Sequence, residues 1–230
     1  MQSYRTTGCE KLGHREFTIQ LREESLIPDL HRILSDYFET SIGAGTVFSP
    51  GETVQVGWST LRLCDRDDGT IGVEERELAA DVQWIEGVDR ALIDTWYQRE
   101  VAASLDLLDE LTFPTQDDAI MVAKCAENAM NVVLARHPNE GMDQGISGWS
   151  LVCTEEHDHG ERQFLPLIAI AVFKPSLVQF LALPHDSVVL ALYGEKSGAP
   201  TGQLALQPYV LRGGEKVDPL PGSYLAALGA

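Results

Sequence analysis

A chain of 230 residues that carries 35 Asp and Glu against 17 Lys and Arg, for a formal charge of −18, is nevertheless 44% hydrophobic. That apolar content excludes an acidic disordered tail, which lacks the burial needed to offset chain entropy. The acid excess holds in both halves, 22 against 10 in residues 1–110 and 13 against 7 in 111–230, and argues against a nucleic-acid binder or a protein held on an anionic membrane.

The opening Met1-Gln2-Ser3-Tyr4-Arg5 leads into polar sequence and has no leader-like apolar run. The apolar stretch Phe164 to Phe173 is broken by Pro166 and too short to span a bilayer. Cys9, Cys64, Cys125 and Cys153 form no C-x-x-C pair, which reads as reduced thiols. The expectation is a soluble cytoplasmic protein.

In chain order, Glu16 to Leu21 alternates apolar and polar residues and predicts a half-buried strand. Pro28 suits a first helical turn, and Leu30, Ile33, Leu34, Tyr37 and Phe38 make one amphipathic stripe that Gly43 and Gly45 end. Val54, Val56 and Trp58 alternate, and Leu61 and Leu63 continue in the opposite phase, which predicts a bulge or bend beside Gly57. Arg66-Asp67-Asp68-Gly69 predicts a hairpin turn, with Ile71 and Val73 on the return strand. A short strand is expected over Asp81 to Ile85. A helix then runs from Gly87 through Val88, Leu92, Trp96, Val101, Leu105 and Leu108, and ends before Thr112-Phe113-Pro114.

That proline marks the expected division into an N-terminal α/β region, 1–112, and a C-terminal region, 113–230. The latter predicts strands over Ile120 to Cys125, Asn131 to Arg136, Gly148 to Cys153, Asp186 to Tyr193 and Gln203 to Leu211. An apolar element and one or two helical turns are expected within Leu165 to Leu183. The Pro- and Gly-rich tail after Gly213 is expected to lie over the surface or fray. The fold class is α+β, with mixed or antiparallel sheets and two main helices in two lobes.

The motifs of catalysis are absent. Gly43-Ala44-Gly45 is not a phosphate loop, and Ser147 does not stand in a complete G-x-S-x-G frame. Cys64, with His31 or His137 as base, reads as a small buried hydrophobe rather than a nucleophile. In Glu155-Glu156-His157-Asp158-His159, two imidazoles stand two residues apart among carboxylates, suited to a divalent metal only if further ligands come from elsewhere. The preferred reading is a solvated acidic loop. No catalytic residue, cofactor or metal ligand is assigned. Asp65, Asp67 and Asp68, followed by Glu74, Glu75 and Glu77, put six acids around one hairpin, a docking surface for a basic partner. Trp58, Trp84 and Trp96 fall on apolar stripes and read as core.

Ile146-Ser147-Gly148-Trp149, the acidic His-bearing run Glu155 to His159, and the segment ending Phe180-Leu181-Ala182-Leu183-Pro184 together resemble the immunity protein 33-like domain of bacterial polymorphic-toxin systems. Ile146 stands where that family usually carries Asp, with Asp143 three residues upstream. Phe48 to Trp58, the hairpin and the Gly87-Val88-Asp89 helix resemble longer members with a further α/β region. The resemblance implies a non-enzymatic protein that binds and neutralises a cognate toxin, with no cofactor. The partner-binding residues expected on this reading are Asp65, Asp67, Asp68, Trp149, Glu155, Glu156 and Asp158. The alternatives are a metal-dependent enzyme built on His157 and His159, and an acidic adaptor with several protein partners.

Overall fold

Contacts in the computed structural model divide the chain into two units, Met1–Trp96 and Tyr97–Ala230. Residues 1–22, 27–78, 82–138, 144–195 and 204–228 are described. The fold is α+β with two mixed sheets, as the sequence predicts.

The first unit contains β1 (Gln2–Arg5), β2 (Phe17–Leu21), α1 (Arg32–Gly43), β3 (Thr53–Val56), β4 (Ser59–Asp65), β5 (Ile71–Arg76) and β6 (Trp84–Glu86). The strand order is β1-β2-β5-β4-β3, with β6 also paired to β5. β2 and β5 run parallel; the other pairs are antiparallel. α1 turns the predicted stripe inward, burying Leu34, Phe38 and Ile42. Phe38 stacks on Phe17 of β2 with ring centroids 3.8 Å apart, and Phe48 meets Phe38 edge-on at 5.3 Å. This aromatic cluster is why the helix needs its apolar face: helical stability in proteins comes chiefly from such burial.

The phase slip beside Gly57 is a chain reversal rather than a bulge. β3 and β4 are separate antiparallel strands joined at Gly57-Trp58, with Val56 opposite Ser59. Gly57 has φ +60°, and a Cβ there would fall 2.5 Å from Thr95 Oγ1. Glycine first in a two-residue loop is the turn that matches strand twist. The second hairpin, β4 to β5, forms as expected, with Asp65 opposite Ile71. Of the strand expected over Asp81 to Ile85, Asp81 lies outside the described residues, and β6 begins at Trp84.

α2 (Asp89–Ser104) begins in the first unit, where Val88, Ala91 and Leu92 join the core, and ends in the second. It stops earlier than its apolar spacing suggests, because Asp106 adopts φ +59° and Leu108–Glu110 forms a 3-10 turn. The contact division at 96/97 falls within this helix. Residues after 96 find partners in the second unit: Gln98 Nε2 donates to the Val178 carbonyl at 3.0 Å and the Thr112 amide to Ala182 at 3.1 Å.

The second unit adds β7 (Ala119–Ala123), α3 (Lys124–Asn128), β8 (Val132–Arg136), β9 (Ile146–Cys153), β10 (Arg162–Pro166), α4 (Ile168–Phe173), β11 (Ser187–Glu195), β12 (Leu204–Arg212), β13 (Glu215–Val217) and α5 (Tyr224–Leu228). The sheet order is β10-β7-β9-β8-β11-β12-β13. β7 and β9 are parallel and the other neighbours antiparallel. β7 ends two residues before the prediction, which puts Cys125 into α3. Leu165 to Leu183 contains the last two residues of β10, α4 and a 3-10 segment, Pro175–Phe180. Gln203 lies outside the described residues. The tail after Gly213 packs against the second unit and does not fray: Leu225 is buried, its amide meets Ser104 Oγ, and the Leu220 amide donates to the Ser104 carbonyl. No helix among the described residues is long and apolar enough to cross a membrane.

Candidate functional site

The hairpin turn places Asp65, Asp67 and Asp68 on the surface, around an open hollow of about 560 Å³ shared with Arg66, Glu74 and Glu86. Much of its charge is matched internally. Arg15 donates to Asp65 at 2.9 Å and also to the Gly69 and Thr70 carbonyls, clamping the turn. Arg66 reaches Asp68 at 3.4 Å and Glu86 at 3.1 Å. The Thr70 hydroxyl and amide donate to Asp68 and hold its carboxyl down to about 2. Asp67 is exposed and takes no part in these contacts.

The six-acid surface needs one correction. Glu75 is 1% exposed, because it shares the inward face of β5 with Ile71 and Val73. Its carboxylate accepts the Ala91 N–H at 2.9 Å, in the first turn of α2, and pairs with Arg22, which also bonds Asp89 at 3.1 Å. Burial pushes the Glu75 carboxyl up, against the downward pull of Ala91, Arg90 and Arg22. Gly87 makes room for Arg22: it has φ +94°, and a Cβ there would lie 2.6 Å from Arg22 Cγ.

On the same helix, half-buried Asp94 accepts the Trp58 indole N–H at 3.2 Å. Burial pushes its carboxyl up to about 7, with Glu75 adding to the rise and Arg90 and Trp58 opposing it. A carboxyl raised in the folded state favours folding below its unfolded value and loses that advantage as pH climbs through the folded one. Asp94→Asn keeps an acceptor for Trp58. It is expected to stabilise the protein by roughly 2–4 kcal/mol at pH 8 and by almost nothing near pH 4, measured by urea unfolding across that range.

In the second unit, residues 154–161 connect β9 to β10. Glu155, Glu156 and Asp158 are exposed there, and Asp158 Oδ1 accepts the Gly160 amide at 3.0 Å. Beside the loop, Phe164 projects from the edge strand β10 with 64% of its surface exposed. An apolar residue in an apolar run reads as core, so the sequence does not mark Phe164.

The loop also brings together groups that the sequence reading kept apart. Cys153 Sγ lies 3.0 Å from His157 Nε2 and 3.6 Å from His159 Nδ1, and Cys125 Sγ lies 3.4 Å from His159 Nδ1. All four ligand atoms fall within 4.8 Å of one another. The sequence pattern marked the two histidines; the cysteines carried no local signal.

Trp149 is placed inside: it is 2% exposed and donates its indole N–H to the Leu181 carbonyl at 3.0 Å. It supports the sheet from within, not as an exposed side chain. Cys64 has its thiol pushed up by burial and by Glu74, the opposite of an activated nucleophile. His137 is occupied by Ser150 Oγ at 2.9 Å. Asp143 lies outside the described residues.

These features define an α+β protein that presents carboxylates on two surfaces. Residues 97–196 match the family model described as Imm33-like domain. The match begins within α2 and ends just after β11; the Phe48 to Trp58 stretch lies outside it. No curated protein and no solved structure matches the chain.

Proposed function

We propose that this protein is an immunity protein that binds a cognate bacterial toxin and neutralises it by direct, stoichiometric occlusion, without catalysis. The observation that carries this reading is the Imm33-like match over residues 97–196. The charge of −18 supports a basic toxin as partner. The exposed carboxylates Glu155, Glu156 and Asp158 beside Phe164 support contact through the 154–161 loop, and Asp65, Asp67 and Asp68 offer a second acidic patch. Opposite charge steers encounter toward association rates of about 10⁸–10⁹ M⁻¹s⁻¹ at low salt, which suits an inhibitor acting on a lethal partner. Such a protein works where its toxin acts, and the cytoplasm fits its free thiols.

Co-expression with the toxin encoded beside it tests the reading: growth is restored if the reading holds, and continued killing at full expression of both proteins contradicts it. Reversing charge at Glu155, Glu156 and Asp158 together is expected to slow association about tenfold at low salt and to change dissociation little, as measured by stopped-flow mixing. Unchanged association would remove the loop from the interface.

A further inference from the structure

The sheet order explains why four distant residues meet. β7 and β9 run parallel, so their C-terminal ends lie at one edge, with Val122 opposite Leu151. Two residues further along that register, the chain reaches Lys124 on one strand and Cys153 on the other, and Cys125 follows at once in α3. From Cys153 the chain crosses the end of β7 and returns as β10 on its far side, where Arg162 pairs with Ala123. Strands two apart are separated by about 10 Å, so residues 154–161 must pass over Cys125. His157 and His159 lie on that passage.

We propose that Cys125, Cys153, His157 and His159 form a Cys2His2 site for one zinc ion, which pins the acidic loop to the sheet. Tetrahedral zinc bonds sulfur at about 2.3 Å and imidazole nitrogen at about 2.0–2.1 Å, so its ligand atoms stand about 3.3–3.8 Å apart. The sulfur–nitrogen separations of 3.0, 3.4 and 3.6 Å lie within about 0.6 Å of that geometry, and the remaining pairs, all within 4.8 Å, close to it with shifts of up to about 1 Å. His157 Nδ1 lies 2.8 Å from the Asp158 carbonyl. A carbonyl only accepts, so Nδ1 carries the proton and Nε2 presents its lone pair to the cluster, the outer hydrogen bond that metal-bound histidines use. Two thiolates and two neutral imidazoles select zinc over the hard cations magnesium and calcium.

The other cluster of this kind among the described residues, Cys9, Glu16 and Glu39, is different. Its carboxylates already accept the amides of Thr7, Gly8, Cys9 and Glu10. In the loop cluster, four protein ligands would leave no open position for water or substrate, so the ion is structural and not catalytic. Two thiolates balance its charge, and Glu155, Glu156 and Asp158 keep theirs. The ion holds those carboxylates in place without neutralising them.

The test uses untagged full-length protein under reductant, with cobalt and zinc as probes and no partner protein. Cobalt added to chelator-treated protein is expected to give the visible absorption of a tetrahedral ion and a thiolate charge-transfer band, both bleached by one equivalent of zinc. Zinc is also expected to raise the thermal midpoint. The double variant His157→Ala/His159→Ala removes two ligands from the half-buried and exposed side and should weaken binding by about 100-fold or more, with its circular dichroism unchanged. Cys125→Ser should abolish the Cys125 contribution to the charge-transfer band. An octahedral cobalt spectrum, absence of zinc binding by the wild type, or equal affinity in the double variant would overturn the site. Each of these outcomes is independent of whether a toxin is neutralised.

Discussion

Trp149→Ala is expected to destabilise the second unit by about 3–5 kcal/mol, the range for deleting a large buried aromatic side chain. Three contacts make this residue central. Its indole N–H satisfies the Leu181 carbonyl, its ring fills the interior face of β9, and the Arg136 guanidinium lies 5.5 Å from the ring centroid. Arg136 is itself 5% exposed, and burial brings it down to about 10. It donates to the Thr112 and Leu183 carbonyls, so the aromatic face shelters a buried cation that ties two chain segments together. Trp149→Phe retains much of the packing and the face but loses the N–H bond, and should cost about 1–2 kcal/mol. Urea unfolding of both variants checks the order. A stable Trp149→Ala protein that fails only in partner binding would instead return this residue to an interface.

Glu75→Ala is expected to cost about 3 kcal/mol, because it leaves the buried Ala91 N–H without an acceptor and deprives Arg22 of one of its two carboxylates. Asp89 and partial exposure of Arg22 keep the loss from being larger. Glu75→Gln preserves an acceptor for the helix amide while removing the charge, so its cost should fall between wild type and alanine. If both substitutions leave the urea midpoint unchanged, Glu75 does not link β5 to α2.

Much of this architecture follows from local pattern. The α1 stripe, the β2 alternation and the Arg66-Asp67-Asp68-Gly69 turn each carry a period or a turn chemistry that only one element satisfies, and each element is found, although β2 is buried on both faces and not half-buried. Gly57 shows where such reasoning stops. A phase slip reads the same for a bulge as for a two-residue reversal, and only the pairing of Val56 with Ser59 separates them. Glu75 looked solvated because an acid beside Glu74 and Glu77 belongs to a polar run; its inward direction depends on the register of β5 and on α2 arriving with unpaired amides. The Pro and Gly that punctuate the tail leave open whether it lies over the surface or frays, and the contact of Leu225 with Ser104, far away in sequence, decides it.

The loop site illustrates the same limit. Glu155, Glu156 and Asp158 are exposed, as their composition suggests, and the histidines between them were visible as possible ligands. Their sulfur partners were not. Cys125 reads as a strand residue, and its approach to Cys153 depends on the parallel pairing of β7 with β9. That pairing joins strands separated in sequence by β8, and no local period encodes it.

Direct neutralisation is tested most simply by titrating the purified protein into the toxin encoded beside it while following heat and toxin activity together. The account predicts a single binding event at one molecule of each, with activity disappearing in step with occupancy. Full toxin activity at saturating protein, or inhibition at far less than one equivalent with turnover of the toxin, would contradict it.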